Sequence, residues 1–167
     1  MLGTFPYGKI QSLLKEEFRR NGILVKEIDP KYTSMTKLIE NNFISVRQGD
    51  DISKLIQAIE ISHRNIFPVL DKNDKFLGVI HLDNVRNIIF KPELYNKYLV
   101  EDLMSTLSEG DIVHIEEPLS DVVYKFQMGH DRYNLVVLDK NDNYVGFLSR
   151  ANTFSAYRRF VSASSEE

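Results

Sequence analysis

The hexapeptide VLDKND occupies Val69–Asp74 and returns unchanged at Val137–Asp142, 68 positions later. Its flanks recur in register. Lys75-Phe76-Leu77-Gly78-Val79-Ile80 follows the first copy, and Asn143-Tyr144-Val145-Gly146-Phe147-Leu148 follows the second. Aromatic, aliphatic and glycine positions all repeat. A period of this length marks a tandem of two similar units, each too small to bury a core alone.

Each copy carries the pattern of a hairpin. Phe67–Leu70 and Leu135–Leu138 are apolar runs of strand length, followed by polar turns and by Phe76–His81 and Tyr144–Leu148. Upstream, Ile52, Leu55, Ile56 and Ile59 form a helical stripe that Asp50 or Asp51 caps, ending near Ser62. Leu119, Val122, Val123 and Phe126 reproduce that stripe at an offset of 67. Phe43–Val46 and Ile112–Ile115 read as first strands, Met35–Ile39 and Val100–Met104 as opening turns. Asp83–Phe90 and Ala151–Phe160 read as closing helices.

The expected fold is therefore α+β, two βαββα units packed sheet to sheet about a pseudo-twofold axis. The predicted divisions are an N-terminal helix and linker over 1–31, a first unit over 32–98 and a second over 99–161. A frayed polar tail over 162–167 follows. The N-terminal helix rests on Ile10, Leu13, Leu14, Phe18 and Ile23, with Asn21-Gly22 as its stop and Asp29-Pro30 as the loop beyond.

Composition narrows the function. A net charge of −3 argues against a nucleic-acid polymer as partner. The absence of cysteine excludes disulfides and thiolate metal sites. No apolar run approaches the ~20 residues a membrane helix needs, and no signal peptide is evident, so the fragment is expected to be soluble and intracellular. Asp71-Lys72-Asn73-Asp74 and its copy resemble the start of a calcium loop. Position six is Phe76 or Tyr144 and position twelve Leu82 or Arg150, where such a loop needs glycine and glutamate. His63, His81, His114 and His130 lack metal-ligand spacing, and no metal is expected. With no catalytic motif and no partners for Ser149, the chain does not read as an enzyme.

Phe67-Pro68-Val69-Leu70-Asp71 with Leu77-Gly78-Val79-Ile80, and the matching run Leu135–Asp139 with Val145–Leu148, resemble a tandem pair of CBS domains, or Bateman module. Further runs resemble the cytoplasmic CBS tail of bacterial ClC-type chloride channels. They are Arg64–Val69, Asp83–Ile88, Lys91–Tyr95, Val100–Met104 and Ala156–Arg159. The resemblance implies a regulatory module at the cytoplasmic face of a membrane protein, attached to a transmembrane chloride channel domain and dimerising through its helices. It also implies ATP, ADP or AMP as regulatory ligand, held in two symmetry-related clefts.

In that family a Ser/Thr and an acidic residue, three and six positions after the glycine, address phosphate and ribose. Here these positions hold His81 and Asn84 in the first unit, Ser149 and Asn152 in the second. The stronger expected cleft joins Ser149, Arg150 and Asn152 to Ser45, Val46 and Arg47 and to Arg64, Asn65, Ile66 and Pro68. In it, Arg47, Arg64 and Arg150 would converge on a polyphosphate. The weaker cleft joins His81 and Asn84 to His114, Arg132, Tyr133 and Asn134. The alternatives are a structural dimerisation domain with empty clefts, and a sensor serving another transporter or an enzyme.

Overall fold

The computed structural model describes residues 35–165. The helix expected near residues 8–25 and the Asp29-Pro30 loop lie outside them. Each unit is a three-stranded sheet with helices. Strands β1 (Val46–Arg47), β2 (Ile66–Leu70) and β3 (Phe76–His81) form the first sheet, and β4 (Ile112–His114), β5 (Asn134–Leu138) and β6 (Tyr144–Ser149) the second. Helices α1 (Ile52–Ile61) and α2 (Leu82–Ile89) belong to the first unit. The short α3 (Val100–Leu103) opens the second, with α4 (Leu119–Met128) and α5 (Arg150–Ser164).

The repeat is visible down to the register. In both sheets the first strand runs parallel to the central one and the hairpin is antiparallel, pairing Phe67 with Ile80 and Leu135 with Leu148. Both hairpins carry the same irregularity, between Val69 and Leu70 and between Val137 and Leu138. The turns end on Asp74 (φ 64°) and Asp142 (φ 61°), left-handed positions that Asp tolerates. Asp139 accepts hydrogen bonds from the Asn143 side chain and backbone, which hold its carboxyl below the usual range.

Asp51 caps α1, its side chain accepting from Lys54 N–H at 3.3 Å. Ser149 caps α5 by accepting from Asn152 N–H at 3.2 Å. Several boundaries differ from expectation by a residue or more, and three of them have a visible cause or extent. The first strand begins at Val46, because Phe43 turns into the space between the sheets. Lys91-Pro92 ends α2 one residue early, at Ile89. The last helix continues to Ser164 where a frayed tail was expected, and Ser162 Oγ donates to the Arg158 carbonyl at 2.9 Å in its final turns.

The opening segments are exchanged between the units. Val100, Leu103 and Met104 pack on the first unit's core of Val46, Leu55, Phe67, Val69, Ile80 and Val85. Met35, Leu38 and Ile39 pack on the second unit's core of Val113, Leu119, Val122, Phe126, Leu135 and Leu148. Between the sheets lies a third cluster, Phe43, Val79, Val136, Leu138 and Phe147, joined by Ile66, Phe76, Leu107 and Tyr144. Each central strand thus buries both faces, which accounts for its nearly continuous apolar sequence.

The two VLDKND turns meet. Phe76 N–H donates to Asp142 O and Tyr144 N–H to Asp74 O, both at 3.3 Å, around the Lys75–Asn143 bridge. Lys75 Nζ adds a bond to Asn141 O at 2.5 Å. The hexapeptide is therefore a junction between the units as well as two turns.

Candidate functional site

The ends of the sheets opposite this junction enclose a cleft of about 560 Å³. Its apolar lining is Phe43, Ile66, Leu107, Val136 and Phe147, with the Phe43 and Phe147 ring centroids 4.4 Å apart. Its polar lining comes from the segment entering β2 (His63, Arg64, Asn65), the segment entering β5 (Asp131, Arg132, Tyr133, Asn134), and His81 and Asp111.

Two separate clefts were expected. Instead, Arg64, Asn65 and Ile66 share one space with His81, Arg132, Tyr133 and Asn134. The reason is topological: both central strands begin on the same side of the sheet-to-sheet interface. Asn65 O accepts from Leu82 N–H at 2.9 Å and Tyr133 O from Arg150 N–H at 2.8 Å, fixing the two entry segments in equivalent ways.

The expected convergence of Arg47, Arg64 and Arg150 does not occur. Arg47 pairs with Asp74 at 2.6 Å and donates to Asp71 O at 2.6 Å, so it braces the hairpin turn. Its counterpart His114 does the same in the second unit, with Nε2 3.2 Å from Asp142, and is likewise outside the cleft. Arg150 donates to the carbonyls of Phe126 (3.0 Å) and Gly129 (3.2 Å), satisfying the C-terminal end of α4. Val46 and Pro68 are buried, and Ser45, though exposed, is not part of the lining. Asn84 is exposed on α2 and also outside it. Ser149 and Arg150 line a separate shallow groove with Phe154 and Arg158.

Arg64 and Asn152 do come together, through an intermediary. Glu40 Oε2 accepts from Arg64 Nη2 at 2.7 Å, and Glu40 Oε1 accepts from Asn152 Nδ2 at 2.9 Å. Arg64 also donates to Asn42 at 3.0 Å and stacks its guanidinium 4.6 Å from the Phe43 ring centroid. Arg132 has an acidic partner too, Asp111 at 2.6 Å, and donates to Lys125 O at 3.2 Å. Burial would raise the Asp111 pKa, but hydrogen bonds from Ser108 and Arg132, with the Arg132 charge, hold it below the usual carboxylate range.

Glu40, Phe43, Leu107 and Asp111 have no local motif. Glu40 reaches Asn152 only because the segment that opens the first unit crosses to the second. Val136 was accessible by symmetry, as the repeat partner of Pro68. Among the described residues, no group of three or more His, Asp or Glu is placed to hold a metal ion.

Two three-stranded sheets with helices, doubled about a pseudo-twofold axis, define a tandem CBS pair. The CBS domain profile matches residues 25–91 and 100–158, and the chain belongs to that family. Among solved structures, it resembles the Listeria monocytogenes CbpB protein in complex with c-di-AMP (17% identity, TM-score 0.61), covering 78% of this chain and 99% of that one. CBSX2 in complex with AMP is similar at 19% identity and TM-score 0.58, covering 75% and 96%. Staphylococcus aureus OpuCA is similar at 18% and 0.60, covering 75% and 97%. At these identities the likeness is one of fold. No curated protein matches the sequence.

Proposed function

We propose that this chain is a non-catalytic regulatory module that binds an adenine nucleotide in the cleft between its sheets. The observation that carries the reading is the cleft itself: about 560 Å³, an apolar floor, and guanidinium groups entering from both units. That volume lies in the range of small-ligand sites, and the floor of Phe43, Ile66, Val136 and Phe147 suits a base. The complexes of CbpB with c-di-AMP and of CBSX2 with AMP support an adenine ligand. Because Arg47 and Arg150 are engaged elsewhere, the site offers fewer cations than a triphosphate would use. AMP is therefore the first ligand to test, before ADP and ATP. Calorimetry on the full chain should give saturable heat with AMP, weakened in Arg64→Ala. No heat at millimolar nucleotide would leave a structural dimerisation domain as the account.

The proposed assembly is a homodimer formed through helices. Ile61 and Met128, equivalent residues at the ends of α1 and α4, are 69% and 61% exposed. Sedimentation should give a dimer, and Ile61→Glu with Met128→Glu a monomer.

The proposed client is a chloride channel at whose cytoplasmic face the module acts, on the strength of the channel-like runs Arg64–Val69, Lys91–Tyr95 and Ala156–Arg159. None of the described helices is long and apolar enough to cross a membrane. Membrane-spanning segments are expected upstream of Met1 in the reading frame. Their absence would overturn the channel partner and leave the nucleotide reading intact, with another transporter or an enzyme as client. Regulation further requires that the ligand bind one arrangement of the units better than another, since equal affinity shifts nothing.

A further inference from the structure

Resting on the nucleotide reading, we propose that the Glu40 carboxylate is a built-in competitor for the ligand's anionic group, occupying Arg64 and Asn152 until a phosphate displaces it. Its two oxygens are divided between the two side chains, 2.7 Å from Arg64 Nη2 and 2.9 Å from Asn152 Nδ2. One charged carboxylate thus fills the place where a cation from one unit and an amide from the other converge. Arg64 lines the cleft, so the charge that would attract a phosphate is already largely neutralised at the rim.

Glu40 is fixed in this position by its backbone. Its N–H donates to Phe147 O at 2.8 Å and its carbonyl accepts from Phe147 N–H at 2.9 Å. Gly146 lets the segment approach closely, since a Cβ there would lie 2.6 Å from Glu40 O. Release is therefore a rotation of the Glu40 side chain about an anchored backbone. The exchange replaces one charge-assisted bond to Arg64 with another, so the net gain for a phosphate is small while Glu40 is charged. A neutral nucleoside does not need Arg64 and is indifferent to the exchange.

Calorimetry with AMP and with adenosine, on the wild-type full chain and on Glu40→Gln, tests this. The expected result is about tenfold tighter AMP binding in Glu40→Gln with adenosine affinity unchanged. Glu40→Asp, whose shorter carboxylate does not span both partners, is expected to fall between. AMP binding that is unchanged or weakened in Glu40→Gln would overturn the competitor role and leave the nucleotide reading standing. The competitor role is equally overturned by a gain of the same size for adenosine, which would mean a general loosening of the cleft. AMP binding by Glu40→Gln alone would support the competitor role and overturn the reading of the wild-type chain as a nucleotide sensor. Binding by none of the three proteins overturns both.

Discussion

Val79 and Ser105 exchange both backbone hydrogen bonds across the unit boundary, Ser105 N–H to Val79 O at 2.8 Å and Val79 N–H to Ser105 O at 3.0 Å. Phe147, the repeat partner of Val79, makes the same exchange with Glu40. Each sheet is thus extended by the segment that opens the other unit. The glycine before each of these residues makes the contact possible. A Cβ on Gly78 would stand 2.6 Å from Ser105 O, and one on Gly146 2.6 Å from Glu40 O. Both carbonyls are backbone, which does not yield as a flexible side chain does, and at Gly146 the Ile39 Cγ2 methyl stands closer still, at 2.5 Å.

Gly78→Ala and Gly146→Ala should therefore each destabilise the chain by ~1–3 kcal/mol, the usual range for overpacking. Urea unfolding would show a lower midpoint with little change in slope. A midpoint within error of wild type in either variant would mean that the crossing segments are not held closely.

Tyr144 is the repeat partner of Phe76, and its ring stacks on Phe76 with centroids 6.4 Å apart. Its hydroxyl is buried and has no hydrogen-bond partner among the described residues. Burial pushes its pKa above the ordinary tyrosine value. An unsatisfied buried hydroxyl costs ~1–3 kcal/mol. Tyr144→Phe, which restores the first unit's solution, should be neutral or more stable by about 1 kcal/mol. A clear loss of stability in thermal or urea unfolding would show that the hydroxyl has a partner.

The Arg132–Asp111 pair predicts a pH dependence. The Asp111 pKa is lowered in the folded state relative to its ordinary value of 3.8. Its contribution is therefore present above pH 3.8 and is lost as pH falls through the lower folded-state value. Arg132→Leu should cost stability near neutral pH, and the gap from wild type should shrink at about pH 3. Urea unfolding at both pH values checks it. A gap that does not change with pH would mean that the arginine acts through its packing against Gly110 and Gly129 rather than through its charge.

The repeat made the strands, helix stripes and hairpin register legible, because each depends on alternation or spacing within some 20 residues. Arg64 and Arg132 were also found by registration, since both precede the central strands by the same distance. What was not legible is how the units interlock. The sequence assigns Arg150 to the ligand cleft, whereas the end of α4 arrives beneath it, 24 positions back in the chain, and takes up its guanidinium. Glu40 belongs to no pattern in the sequence, yet it meets Asn152 across 112 positions. Arg47 follows the same rule on a smaller scale: the turn that absorbs its charge is the repeated hexapeptide itself. The shared cleft depends on which ends of the two sheets face each other, and no single segment encodes that.

The most direct test of the central claim is an amide-resolved NMR titration of the full chain with AMP. The account predicts saturable shifts centred on Asn65, Ile66, His81, Tyr133 and Asn134, with Glu40 and Asn152 responding as the carboxylate is displaced. No shifts at millimolar AMP, or shifts confined to the shallow groove of Ser149, Phe154 and Arg158, would contradict it.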